Sequence, residues 1–142
     1  MLGIRVYPRN YIDGCRAHID ANVNAYRKLL EATKADAGGA AVQVFEATFF
    51  SDLVLILDEF FVHRLRAVEG KDGNALNEVR LLSQSIMNNH GVLQADKTIK
   101  YDPARSVLKY QIGDQIKLTE ADFTRLSDAF LSEIEIRFSD SA

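Results

Sequence analysis

Apolar residues recur at steps of three and four along four stretches of the chain, which is the spacing of one face of an α-helix. The four stretches are residues 11–33, 41–68, 74–90 and 119–138. Segments that contain glycine follow the first three, at 35–39, 69–73 and Gly91, and glycine is common just past a helix end. The pattern therefore predicts four helices.

The second stretch is apolar around most of the helix circumference. Its apolar residues are Val42, Phe45, Phe49, Phe50, Leu53, Val54, Ile56, Leu57, Phe60 and Phe61. Such a helix lies at the centre of a bundle or is covered by a second copy of the chain. Its longest aliphatic run, 53–57, is bounded by Asp52 and Asp58 and is much shorter than the ~20 residues of a membrane span. We therefore expect no membrane partner.

Residues between the third and fourth stretches alternate between apolar and polar. Alternation over 106–112 and 115–118 flanks Gly113-Asp114, a pattern that predicts a two-residue β-hairpin, and residues 98–101 form another candidate strand. Thr119 followed by Asp122 predicts a helix N-cap. The predicted fold is mainly α: an antiparallel bundle of four main helices with a small β-hairpin before the last helix, in a single domain over residues 1–142.

Composition and charge narrow the class of protein. A single cysteine among 142 residues excludes an intramolecular disulfide framework and a multi-cysteine zinc site. The first residues lack the apolar core of a secretory signal, which predicts a cytoplasmic protein. Residues 1–28 carry five basic and two acidic side chains, and residues 80–117 carry six and three. Two interpretations stay open: the segments form a modest anion-binding face, weaker than the basic stripe of a dedicated nucleic-acid binder, or their charges are ordinary solvated side chains.

Common catalytic motifs are missing from the sequence. It contains no Gly-x-Ser-x-Gly, Walker or Gly-x-Gly-x-x-Gly run, and Cys15 lies on an apolar stripe where a buried, inert thiol is expected. Glu59 and His63 are spaced to share a helix face, but a di-metal bundle needs two Glu-x-x-His pairs. The sequence predicts no catalytic residue, no metal and no cofactor.

The third stretch carries a family resemblance. Residues 78–93 read EVRLLSQSIMNNHGVL, which resembles the signature segment of HEPN domains, a helical family common in prokaryotic defence and toxin–antitoxin systems. That signature holds an Arg and a His separated by four residues. Aligned with it, Ser83 stands at the Arg, Gln84 at the following Asn, and Asn88 at the His. The resemblance implies a homodimeric helical domain with RNA as a ligand.

Both departures from the signature remove chemistry that the family's ribonucleases use. Serine supplies no cation to stabilise phosphate charge, and asparagine exchanges no proton near pH 7. Arg80 and His90 offer the same side-chain types nearby, but ten residues of helix place them about 280° apart beyond two full turns. The motif is therefore degenerate, and a non-catalytic role is expected.

The resulting functional prediction is a non-catalytic, homodimeric HEPN-like domain that binds RNA or a protein partner in a prokaryotic stress or defence system. The predicted binding groove comprises Arg80, Ser83, Gln84, Asn88, His90, Arg105 and Lys109. Two alternatives stay open. One is a metal-independent endoribonuclease that uses a rearranged Arg80/His90 pair, and the other is a structural oligomerisation module. The polar residues of 78–93 are equally explained as the solvated side and cap of an ordinary helix.

Overall fold

Four α-helices pack against one another in the part of the chain that the structure, a computed structural model, describes: residues 3–33, 39–70 and 72–139. The helices are α1 (Arg9–Thr33), α2 (Ala40–Phe60), α3 (Ala75–Asn88) and α4 (Glu120–Phe138). Helices α2, α3 and α4 contact one another, and α1 packs on α2 and α4. The mainly helical class is thus confirmed. Residues 35–38 and Lys71, which belong to two predicted helix breaks, lie outside the described residues.

The periodic apolar stripes form the core. The buried residues of α1 are Ile12, Cys15, Ile19, Val23 and Tyr26. On α4 the predicted stripe is buried in full, at Phe123, Leu126, Phe130, Ile134 and Phe138. Each such side chain contributes roughly 1.5–3 kcal/mol when it leaves water, so burial of these stripes selects the helical packing over an extended chain.

Helix α2 ends at Phe60, eight residues before the predicted end at 68. The chain then pairs with the N-terminal segment: the Ile4 N–H donates to the His63 carbonyl at 2.9 Å, and the Leu65 N–H donates to the Ile4 carbonyl at 2.7 Å. A short 3-10 turn follows over Arg66–Val68. The predicted C-terminal part of this helix is wrong because tertiary partners take the backbone groups that a longer helix would use.

The predicted β-hairpin over residues 106–118 is also wrong, and the described residues of this segment form no strand. A turn does form at Gly113, which has a φ of +98°, and the Asp114 N–H donates to the Gln111 carbonyl at 3.0 Å. The residues after the turn pair with the exit of α3 instead of with 106–112. The Leu93 N–H donates to the Asp114 carbonyl at 2.9 Å, and the Ile116 N–H to the Gly91 carbonyl at 2.8 Å.

A buried carboxylate on α3 explains why the first arm of the hairpin does not form. Glu78, 1% exposed, accepts the backbone N–H groups of Val107 at 2.7 Å and Leu108 at 2.9 Å. Lys109 then adopts a φ of +60°, which ends any extended conformation. The candidate strand at 98–101 is likewise irregular, with only an isolated bridge between Asp96 and Ile99.

Candidate functional site

Three of the seven predicted groove residues share the outer face of α3. Arg80 and Gln84 are half-buried and Asn88 is exposed, and their spacing of four residues places them on one stripe. Ser83 is instead buried within the core, at 5% exposure. The structure therefore brings Arg80, Gln84 and Asn88 together and separates Ser83 from them.

His90 lies beyond the end of α3 and lines a different groove. It adopts a left-handed φ of +56°, followed by Gly91 at +77°, and the Gly91 N–H donates to the Ser85 carbonyl at 3.1 Å. The predicted glycine cap is present, but the left-handed conformation starts one residue earlier. The adjoining groove, which we call the α2 groove, has a volume of about 740 Å³. Its lining includes Val44, Asp52, His90, Gln115 and Lys117, without Arg80.

The two cations predicted from the hairpin already have partners within the chain. Arg105 forms an ion pair with Asp72. The Lys109 ammonium donates to the Ala104 carbonyl at 2.9 Å. Neither residue lines the grooves that hold Arg80 or His90.

Arg80 instead belongs to a cluster of four cations around a groove of about 400 Å³. We call this the basic groove, defined by Arg66, Arg80, Lys97 and Lys100. Arg66 comes from the 3-10 turn, Arg80 from α3, and the two lysines from the loop after α3. That loop is held in place where the Asn77 side chain donates to the Lys100 carbonyl at 3.0 Å and where Ile99 is buried.

The cations of the basic groove form no direct ion pair among the described residues. Within the described ranges, none of the four has a carboxylate oxygen within 4.0 Å. The nearby Glu69 carboxylate is taken by the buried Arg64, at 2.7 Å. The Nη1 of Arg66 is buried without a hydrogen-bond partner among those residues. Burial lowers the pKa of Arg66, and the charges of Arg64 and Arg80 lower it further. Such a groove is suited to an anion that accepts several hydrogen bonds, as phosphate does.

The carboxylate of Asp58 on α2 interacts with Arg66 and Arg80 of this groove. Burial raises the pKa of Asp58, against the opposing effects of Arg64, Arg66 and Arg80. Its Oδ1 is buried and has no hydrogen-bond partner in the described structure. Asp58 therefore offsets part of the positive potential of the groove without neutralising any one cation directly.

The predicted groove lacked three of these four cations, Arg66, Lys97 and Lys100. Of the three, Arg66 carried the weakest sequence signal. It stood inside a predicted helix and in an acidic part of the chain, so no local signal linked it to Arg80. Only the early end of α2 and the fold of the following turn bring it to α3.

Comparison with known proteins adds no assignment: no family model, curated protein or solved structure matches this chain. In the portion of the chain that the structure describes, no group of three or more His, Cys, Asp or Glu side chains is placed to hold a metal ion.

The outer face of α2 is unusually apolar. Val44 is 69% exposed, Phe45 45% and Ile56 37%. By length and composition alone, α2 could cross a membrane, with a mean hydropathy of 1.7 and 22% of the scored window buried. The core helix of a soluble protein passes the same test, and α2 buries Phe50, Leu53, Val54 and Leu57 against the other helices.

Proposed function

We propose that this chain is a non-catalytic HEPN-like domain that binds RNA through the basic groove. The observation that carries the proposal is the convergence of Arg66, Arg80, Lys97 and Lys100 without carboxylate partners. Cations in this arrangement bind the phosphate backbone, which supplies most of the sequence-independent affinity for nucleic acids. The resemblance of residues 78–93 to the HEPN signature supports RNA over other polyanions and implies a cytoplasmic role in a prokaryotic stress or defence system.

The placement of His90 supports binding without cleavage. His90 and Arg80 line separate grooves, so one phosphate does not meet both within a single chain. Metal-independent cleavage requires a proton carrier and a cation at the same phosphodiester. A single chain does not bring His90 and Arg80 to one phosphodiester. A ribonuclease assembled across two copies is the competing hypothesis.

The test follows binding and cleavage of a mixed single-stranded RNA pool, with EDTA present, at 50 and 200 mM salt. We expect salt-sensitive binding without cleavage. Replacing both Lys97 and Lys100 by alanine is expected to weaken binding and to lower the salt dependence by ~0.7 per lost phosphate contact on a single strand.

The matched control replaces Lys28 and Lys117, two exposed lysines outside the basic groove. It makes the same change in net charge, so equal weakening by both pairs would show a diffuse charge effect and overturn the assignment to the basic groove. Cleavage by the parent, lost in His90→Ala, would instead support the ribonuclease alternative.

We further propose that the domain is a homodimer that buries the outer face of α2. Exposed Val44, Phe45 and Ile56 form an apolar surface of the kind that marks an interaction site. Asp52 is also exposed on this helix, and a charged group is costly in a lipid-facing position. This favours a protein surface as the cover.

Sedimentation across a range of concentrations tests the homodimer. Val44→Lys is expected to shift the protein towards monomer, whereas Ile136→Lys, at a 75% exposed position on α4, is expected to leave the association unchanged. A monomer at all concentrations would contradict the proposal, and dimerisation without RNA binding would favour a structural oligomerisation module.

A further inference from the structure

A third cavity lies between the N-terminal segment and the end of α2. Its volume is about 460 Å³, within the range of small-ligand sites. It is lined by Ile4, Val6, Tyr7, Pro8, Tyr11, Glu59, Phe60 and His63. We call it the aromatic pocket. Most of its wall is apolar, with one carboxylate and one imidazole.

The ring of Tyr11 is held in a fixed orientation at this pocket. Its hydroxyl donates to the Phe60 carbonyl at 2.6 Å. Tyr7 stacks on it at a centroid separation of 5.5 Å and an interplanar angle of 15°, and Phe61 packs edge-on at 5.7 Å. The Tyr11 side chain nevertheless stays 40% exposed. A rigid, partly exposed aromatic ring is a stacking surface that loses little entropy when a flat ligand binds.

The polar groups of the pocket indicate which hydrogen-bonding groups a flat ligand would present at its edge. Glu59 and His63 are exposed, and neither side chain forms an ion pair in the described parts of the chain. A carboxylate only accepts hydrogen bonds, so Glu59 favours a ring edge with an amino group over one with a carbonyl oxygen. The carboxylate–amino pairing with cytosine is a known mode of base recognition.

The aromatic pocket adjoins the basic groove along the chain. His63 lines the pocket and Arg66 lines the groove. They are three positions apart in the sequence, so their Cα atoms lie no more than about 11 Å apart. This spacing is compatible with one strand that places an aromatic ring in one site and an anionic group in the other.

We propose that the aromatic pocket binds a nucleobase with an exocyclic amino group, from an RNA strand whose phosphate occupies the basic groove. This inference rests on the proposed function, and it adds stacking and a base preference to backbone binding. Single-stranded RNA fits both sites because its unstacked bases are free to pack on aromatic side chains.

Fluorescence anisotropy with oligocytidylate and oligouridylate of equal length tests this inference at pH 8 and low salt. The two pyrimidines have the same size and differ at the group that would face Glu59. We expect cytidylate to bind about tenfold more tightly, and Glu59→Gln to abolish the difference because an amide both donates and accepts.

Replacement of the ring provides the second measurement. Tyr11→Leu is expected to weaken both oligomers by about tenfold, as loss of one stacked base does, while Tyr11→Phe retains the ring and the binding. Leu29→Ala is the control, since Leu29 is an apolar residue of the same helix, is 48% exposed and does not line the aromatic pocket. Thermal melting shows whether each variant is folded. If Tyr11→Leu does not fold, the Glu59→Gln measurement still tests the proposal.

The outcomes separate the two proposals. Salt-sensitive binding of both oligomers with equal affinity, unchanged by Glu59→Gln and Tyr11→Leu, would overturn the aromatic pocket and leave the basic groove intact. Absence of salt-sensitive binding to either oligomer would overturn the proposed function itself.

Discussion

Arg64 and Glu69 form an ion pair in the interior, beside the turn that carries Arg66. The Arg64 side chain is 0% and that of Glu69 4% exposed, and their N–O distance is 2.7 Å. Further bonds join Arg64 to the Phe61 and Leu76 carbonyls, both at 3.4 Å. This network fixes the chain after α2 and so determines where Arg66 lies.

Removing one partner of this pair leaves a buried charge without compensation. We expect Glu69→Ala to lower the free energy of unfolding by about 3–5 kcal/mol in a urea titration. The double variant Arg64→Met/Glu69→Leu should be more stable than the single one. As a control, Arg27→Met, at a half-exposed pair with Glu120, is expected to lower the free energy of unfolding far less, because solvent screens an exposed pair. A double variant as unstable as the single one would show that the pair itself stabilises the fold.

Glu78 provides a pH-dependent contribution to stability. Burial raises its pKa, more than its bonds from Val107 and Leu108 lower it. The folded state therefore binds a proton more readily than the unfolded state, so this contribution is full below the ordinary carboxyl pKa and is lost as the pH rises through the folded pKa.

We expect the free energy of unfolding of the parent to increase, relative to Glu78→Gln, as the pH falls from 7 towards 4.5. At pH 7 the free energy of unfolding of Glu78→Gln should be about 1–3 kcal/mol lower than that of the parent. The carboxylate offers one oxygen to each of the two N–H donors, whereas the amide has only one oxygen. Glu31→Gln, at an exposed position on α1, is the control. Parallel pH curves for the parent and Glu78→Gln would contradict the argument.

At the scale of elements, α4 begins as its sequence predicts. The Thr119 hydroxyl accepts the Asp122 N–H at 3.1 Å, and the Asp122 carboxylate accepts the Thr119 N–H at 3.2 Å. We expect Thr119→Ala to lower the free energy of unfolding by about 1 kcal/mol. Ser132→Ala, at an exposed position within α4, should change it little. Equal effects of the two substitutions in thermal melting would mean that the cap contributes nothing.

The helices were predictable because each buries one periodic stripe, which depends only on the spacing of residues along the chain. The hairpin was not, because alternation in 106–118 does not reveal that Glu78, thirty residues earlier, takes the N–H groups of Val107 and Leu108. The early end of α2 has the same origin. Elements set by local pattern were predicted correctly, and those set by a distant polar partner were not.

At the scale of the whole molecule, the candidate site combines residues that the local sequence predicted with residues that distant contacts place. Arg80 was predicted from the motif on α3, and its neighbours Lys97 and Lys100 belong to a segment predicted to be basic. The position of Arg66 beside them depends on how α2 ends, and the separation of His90 depends on how α3 ends. One stretch of sequence therefore suggested a single groove, whereas the fold distributes its residues over separate surfaces.

The charge balance of the basic groove gives a prediction in which a substitution strengthens binding. Asp58 interacts with Arg66 and Arg80 and reduces the attraction that they exert on phosphate. At pH 8, we expect Asp58→Asn to tighten RNA binding about fivefold, on the order of 1 kcal/mol for one charge at this range. Because burial raises the Asp58 pKa, the parent carboxylate protonates more readily than an ordinary aspartate, so the advantage of the variant should shrink as the pH falls.

Asp52→Asn is the matched control for this measurement. Asp52 lies on the same helix, carries the same charge and lines the α2 groove instead of the basic groove. Anisotropy titrations of both variants therefore compare the same change in net charge at two places. Tighter binding by Asp58→Asn alone assigns the RNA phosphate to the basic groove. Tighter binding by Asp52→Asn alone would move it to the surface that holds His90 and Lys117, where a second copy of the chain could complete the rearranged ribonuclease.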